Sequence, residues 1–192
     1  MKTEDETIHD RVPSEDECRR LIAEHGMLPN IVEHSERVMR VAVAIVDDLR
    51  DANEVDRSLV AAAAILHDIT KTRALRTKER HDESGGMLAR SLGMERIGEI
   101  IEEHVYLKDF DPDGPLLAKE IVYYADKRVM HDTVVSLDER VEDLVVRYGT
   151  TPERVTLIRK NLEHARAVEA KIARRMKTGT RGLAALSERA DA

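Results

Sequence analysis

The 192-residue sequence contains one cysteine, Cys18, no tryptophan, one phenylalanine and four tyrosines. A lone cysteine excludes an intrachain disulfide framework, a cysteine-based zinc ribbon and a CxxC redox pair. At 3% aromatic residues the chain has no stacking platform for single-stranded nucleic acid, and a formal charge of −7 gives no general attraction to phosphate backbones. Nucleic acid is therefore not expected as a partner. The longest apolar run, Leu59 to Leu66, is far short of the ~20 residues that span a bilayer. The opening MKTEDETIHD is rich in carboxylates and has no apolar centre, unlike a signal peptide. These absences predict a cytoplasmic protein without a membrane partner.

What is present reads as a folded chain: 42% hydrophobic and 36% charged residues, at a length expected of one domain. Apolar residues recur every three or four positions almost throughout, with no convincing two-residue alternation. The spacing predicts an all-α helical bundle. Ser14-Glu15-Asp16-Glu17 reads as a capping box, and Pro29 as the first turn of a second helix with Ile31, Val38, Val41, Ala42, Ile45 and Leu49 as its stripe. Further helices are predicted from Asp56 into His67, over 81–92, 94–106 and 116–130, after a second capping box at Ser136–Glu139, and from Thr151-Pro152 to about Lys177. The chain divides into an N-terminal extension (1–13), a main domain (14–150), a long basic C-terminal helix packed on it (151–178) and a flexible tail (179–192).

The helical register places chemistry inside this bundle. Four of the eight histidines, His34, His67, His81 and His104, fall on stripes that should face inward, beside apolar neighbours. Interior imidazoles cost free energy unless bonded or metallated, and Asp68 and Asp126 add two carboxylates of the same kind. Four imidazoles and two carboxylates form a nitrogen and oxygen set suited to iron, manganese, zinc, cobalt or nickel. Six ligands exceed the need of one open metal, so a dinuclear centre of two divalent transition metals is expected, with a carboxylate and a water bridging.

His34, His67-Asp68 and Asp126, set in the words HSERV, AAILHDITK and YYADK, resemble the H…HD…D signature of the HD-domain metal-dependent phosphohydrolases. His81 and His104 fall where dinuclear members, such as bacterial enzymes that split diadenosine tetraphosphate, carry extra ligands. The resemblance covers about residues 25–148. It implies an HD-type helical bundle in which His34, His67, Asp68 and Asp126 are core ligands and His81 and His104 serve a second metal. It implies hydrolysis of a phosphate ester or anhydride of a small molecule, a nucleotide first among them, by a metal-bridged hydroxide oriented by Asp68. Thr70 stands where many members have glycine. His131-Asp132 repeats the dipeptide and reads as a surface pair.

Residues 71–80 add Lys71, Arg73, Arg76, Lys78 and Arg80 against Glu79, a cationic run on an acidic chain. Two divalent ions, two aspartates and one hydroxide leave a site of about +1, so an anionic substrate agrees with both. By resemblance Lys71 holds a phosphoryl oxygen, with Arg37 and Arg73 as further substrate contacts. Asp109-Phe110-Asp111-Pro112-Asp113-Gly114 and Glu120 match a calcium-loop pattern, but Pro112 and the lack of a partner loop make calcium an expected absence. The basic residues from Arg154 to Lys177 read as a solvated face. A homo-oligomer is a further expectation, and the alternatives are a di-iron oxygenase on the same scaffold and a non-catalytic regulatory HD module.

Overall fold

The computed structural model describes residues 10–189 and is helical almost throughout. Helix α1 (Glu15–Glu24) is capped by the Ser14 side chain on the Glu17 amide, but the Glu17 carboxylate turns to Arg11 instead of closing the box. Pro29 opens α2 (Pro29–Asp47), and the Asp56 carboxylate accepts from the Ser58 and Leu59 amides to start α3 (Arg57–Leu66). Helix α3 is buried from Leu59 to Leu66 with no polar side chain in that stretch. A helix apolar on every side must lie at the centre of a bundle, and the run Ala61–Ala64 lets neighbours approach closely. It packs against α1, α2, α6 (Glu95–Glu103) and α7 (Ala118–Lys127).

Between α3 and α6 lie α4 (Lys71–Thr77) and α5 (His81–Ser91), so the first seven residues of the cationic run are helical. After α7 the chain makes a two-stranded hairpin, β1 (Val129–Met130) against β2 (Thr133–Val134), in the span expected to end a helix. Its turn is His131-Asp132, with His131 in left-handed backbone at φ 57°. Helix α8 (Leu137–Tyr148) carries the full Ser136–Glu139 capping box and leans on α9 (Pro152–Arg175). Only Leu137 and Val141 of α8 are buried, so this pair of helices stands partly clear of the core.

The C-terminal end of α9 is held firmly. Leu49 bridges Met176, and Lys171, expected on a solvated face, is only 1% exposed. Its Nζ lies 2.7 Å from Glu120 Oε1 and 2.8 Å from the Asp111 carbonyl, while Glu120 Oε2 takes the Leu117 amide. The acidic end of the calcium-loop pattern is thus an ion-pair partner of α9. The expectation of a flexible tail from residue 179 is corrected as far as residue 189. A turn (Thr180–Gly182) lies against α9, and α10 (Leu183–Arg189) lies against α2, because the few apolar groups, Leu183 and Leu186, share one face with Ser187. Of the N-terminal extension, residues 10–13 are tied down by the Arg11 amide on the Gly93 carbonyl, while residues 1–9, with His9, and 190–192 lie outside the described residues. Among the described residues no helix is long and apolar enough to cross a membrane.

The Lys171–Glu120 pair is buried, so removing one partner strands a charge. Lys171→Ala is expected to cost about 3–5 kcal/mol by urea unfolding. The double variant Lys171→Met with Glu120→Leu is expected to recover most of that loss.

Candidate metal centre and its cavity

Helix α3 ends at Leu66 and the chain turns through His67–Thr70, which carries His67 and Asp68 to the bundle centre, both 0% exposed. Helix α2 supplies His34, α7 supplies Asp126, the start of α5 supplies His81 and the end of α6 supplies His104. All six expected ligands meet there, in two groups that share Asp68. One holds His34, His67 and Asp68, the other Asp68, His81 and His104, the ligand atoms of each lying within 4.8 Å of one another. Asp126 joins the first, with Oδ1 3.1 Å from His34 Nε2 and 3.8 Å from His67 Nε2. In the second, Asp68 Oδ1 lies 3.3 Å from His81 Nε2 and 3.7 Å from His104 Nε2.

Backbone carbonyls orient three of the rings. His67 Nδ1 lies 2.7 Å from the Ala64 carbonyl, His104 Nδ1 2.5 Å from that of Ile101, and His34 Nδ1 2.9 Å from that of His131. A carbonyl only accepts, so each Nδ1 carries the hydrogen and each Nε2 is turned into the cluster, where a bound metal would take its lone pair. The surface reading of His131-Asp132 describes its side chains, both exposed, but the His131 carbonyl serves the site. Thr70 also contributes: its hydroxyl donates to the His81 carbonyl at 2.9 Å and meets Ser84, fixing the start of α5. Gly85 lets α5 approach, since a Cβ there would stand 2.9 Å from Ile101 Cγ2.

Charges balance around the shared carboxylate. Burial alone would push Asp68 up, but the Lys71 ammonium and His67 outweigh it and hold Asp68 well below the usual carboxylate range. Lys71 Nζ lies 2.7 Å from Asp68 Oδ2. Asp126 is likewise held low against its burial, chiefly by Lys127, whose Nζ lies 2.8 Å from Asp126 Oδ2 and 2.8 Å from the His104 carbonyl. Burial, with some help from His104 and Lys71, pulls His81 down to about 4, so its imidazole is neutral at ordinary pH. Two atoms remain unsatisfied. His67 Nε2 and Asp68 Oδ1 are buried without a hydrogen-bond partner among the described residues. Donor atoms left bare in a buried, convergent set fit divalent transition metals, and all six residues are of the type that hold them.

The clusters open on a cavity of about 600 Å3. Its inner wall includes His81, His104, Asp126, Lys71 and Lys127, and its outer wall is formed by α4, α8 and α9. On α4 the helical period turns Lys71, Ala74, Leu75 and Lys78 toward the cavity. Arg73 falls on another face and pairs with Glu79, so its expected substrate contact is corrected. Arg37 is corrected too: it pairs with Glu188 of α10 and does not line the cavity. Arg80, Arg140 and Arg154 do line it, against the carboxylates of Glu79, Asp82 and Asp126. The sequence drew no attention to Arg140, which only the packing of α8 brings to the wall.

A family model described as HD domain matches residues 31–131, more than half of the chain. A tRNA (cytidine(56)-2'-O)-methyltransferase of Picrophilus torridus is 27% identical over 146 residues, 68% of this chain and 40% of that protein. One of the same name from Thermoplasma volcanium is 30% identical over 95 residues, 49% of this chain and 26% of that protein. The chain thus spans less than half the length of these curated relatives. No solved structure matches.

Adding zinc or manganese at about 100-fold over its dissociation constant is expected to raise Tm by about 5–10 °C, because the ion binds only the assembled cluster. Asp68→Ala is expected to abolish that rise, and Asp132→Asn to leave it intact. The measurement is thermal unfolding with and without the ion.

Proposed function

The chain belongs to the HD-domain family, and on that footing we propose that it is a metal-dependent phosphohydrolase acting on a small phosphorylated substrate, such as a nucleotide. The observation that carries this reading is the pair of buried, unpartnered donors, His67 Nε2 and Asp68 Oδ1, at the junction of two ligand groups beside a cationic cavity. His34, His67, Asp68 and Asp126 would hold one divalent metal, and Asp68, His81 and His104 a second. Bound there, such ions supply Lewis-acid polarisation of a phosphoryl oxygen and lower the pKa of a coordinated water.

The chain's own groups do the rest. Lys71, 30% exposed and tied to Asp68, offers its ammonium to a phosphoryl oxygen entering from the cavity. Lys127 is bonded to Asp126 and the His104 carbonyl, so it neutralises one ligand and positions another. The carbonyls of Ala64, Ile101 and His131 keep three imidazoles aimed. The apolar parts of α8 and α9 exclude water from one side of the cavity and receive the organic part of the substrate. Cation-lined walls favour entry of an anion on a chain of −7.

The tRNA methyltransferase name of the relatives suggests RNA as a second substrate class. Methyl transfer is not what this centre is built for: a buried set of four imidazoles and two carboxylates suits metal-assisted hydrolysis. An RNA oligonucleotide therefore belongs in the substrate panel as a phosphodiester.

The test is phosphate release from a panel of nucleotides, sugar phosphates and short RNA by protein loaded with each transition metal. Activity is expected on at least one phosphate compound, with two metals per chain by elemental analysis. Asp68→Asn is expected to lose metal from both groups and at least 100-fold in kcat, His34→Ala to lose one metal, and Lys71→Ala to raise KM and lower kcat together. Release by Asp68→Asn equal to that of the unaltered chain would overturn the proposal. Oxygen uptake by the iron-loaded protein in place of phosphate release would favour an oxygenase.

A further inference from the structure

Arg140 stands apart from the other cations of the cavity. It lies on α8, its side chain only 11% exposed, and it lines the cavity together with Lys71 and Lys127. Its Nη1 donates to Asp143 Oδ2 at 2.8 Å. Its Nε is buried and has no hydrogen-bond partner among the described residues. A buried guanidinium normally spends its five donors on carboxylates, carbonyls or phosphates, and leaving them idle is costly.

The arrangement holds this side chain in place. Asp143 is gripped from the other side by Arg147, whose Nε lies 2.8 Å from Asp143 Oδ1, and Arg147 Nη2 lies 2.6 Å from His131 Nε2. The carboxylate is therefore shared by two arginines and neutralises neither fully. His131 is the turn residue whose carbonyl orients His34. Arg140 is thus braced against the hairpin that serves the ligand cluster.

Lys71 and Lys127 are each committed to an aspartate of the cluster, at 2.7 and 2.8 Å. Arg140 touches neither aspartate. The three cations thus define two places for negative charge: one against the ligand cluster, and one at the α8 wall. A single phosphoryl group held at the ligands satisfies the first. The second fits a further phosphoryl group on the same molecule, which a guanidinium can take by two parallel N–H bonds.

We propose that Arg140, braced by Asp143, is a specificity residue that binds a second phosphoryl group, so that the preferred substrate carries at least two linked phosphates on an organic moiety. This rests on the phosphohydrolase reading and names the substrate class for that site. The apolar wall supplied by Leu144, Ile158 and Leu162 receives the organic moiety. Arg140 does not touch the ligand cluster, so it acts on substrate choice and not on metal uptake.

The probes are methylphosphonate and methylenediphosphonate, neither of which is hydrolysed, titrated calorimetrically into manganese-loaded protein. The unaltered chain is expected to bind the diphosphonate at least tenfold more tightly than the monophosphonate. Arg140→Gln is expected to lose most of that ratio while keeping its metal and its monophosphonate affinity, and Arg140→Lys to fall between. Arg159→Gln, exposed on α9 and outside the cavity lining, is expected to keep the ratio. A purely structural Arg140 would lower both affinities together or neither, and an unchanged ratio in folded Arg140→Gln or Arg140→Lys would overturn the proposal. Phosphate release from monophosphates with no preference for diphosphates would also overturn it while leaving the phosphohydrolase reading standing. A ratio that depends on Arg140 in a protein that releases phosphate from nothing would do the reverse.

Discussion

Asp68 is a fully buried carboxylate, and the rest of the architecture answers to the cost of putting it there. One oxygen is compensated by Lys71, and the other faces His81 and His104 with no hydrogen bond to satisfy it. A charge so placed is tolerable only when several opposite or coordinating groups converge on it. Convergence requires elements from distant parts of the sequence, so α2, α5, α6 and α7 all send a ligand to the end of α3. That helix can be central because it carries no polar side chain from Leu59 to Leu66. The chemistry sits where the apolar helix stops, in the turn whose backbone no longer needs its side chains for packing. Four rings gathered in one place would also repel if protonated. Their centroids lie 5.0 to 5.4 Å apart edge to face, and burial pulls His81 and His104 down, while against its own burial Asp68 and Asp126 hold His67 up.

The outer half of the site is built on different terms. Helix α9 is pinned near its C-terminal end by the Lys171–Glu120 pair and the Leu49–Met176 bridge. Toward its start it leans on α8 and the cavity, with Asn161 bonded to the Tyr123 hydroxyl and the Val105 carbonyl, and α8 itself buries two residues. Anchorage at one end with light packing at the other is where local opening concentrates. A substrate with an apolar portion gains area by lying between these helices and the core. The Arg140–Asp143–Arg147–His131 contacts tie this lightly packed wall to the rigid ligand cluster.

Much of this was legible in residue spacing, and the exceptions have physical reasons. The positions His34, His67, His81 and His104 share a property that spacing does report, an inward-facing stripe, and Asp68 and Asp126 stand out because carboxylates are rare there. Pro29, Asp56 and Ser136 mark helix starts through local hydrogen bonding, which needs only neighbours in sequence. Arg37 and Arg73 do not line the cavity, because nearness to a ligand along the chain says nothing of which way a long side chain turns. Arg37 is drawn to Glu188, which is 151 positions away. The His131 carbonyl leaves no trace in the sequence, since every residue has one and only the left-handed turn at φ 57° aims it at His34. The tail misled for the opposite reason: it has few apolar groups, but Leu183 and Leu186 lie on one face, and a short helix docked on α2 needs no more.

The ligands and one part of the cavity wall, that of α8 and α9, also divide along the chain. His34, His67, Asp68, His81, His104 and Asp126 all lie within residues 31–131, the span that matches the HD-domain family. Leu137, Arg140, Leu144, Ile158 and Leu162, which shape the cavity, lie beyond it. The family span supplies the reactive centre, whose geometry tolerates little change because six residues must meet within a few ångströms. The helices after it are under no such constraint. Their polar contacts toward the cluster, Arg147 with His131 and Asn161 with the Val105 carbonyl and the Tyr123 hydroxyl, involve no ligand side chain. On the phosphohydrolase proposal, α8 and α9 would contribute to selection among phosphate compounds, and the bundle would hold the reactive centre. On this proposal a substitution at Arg140 would alter substrate choice while His67 and Asp68 stay in place.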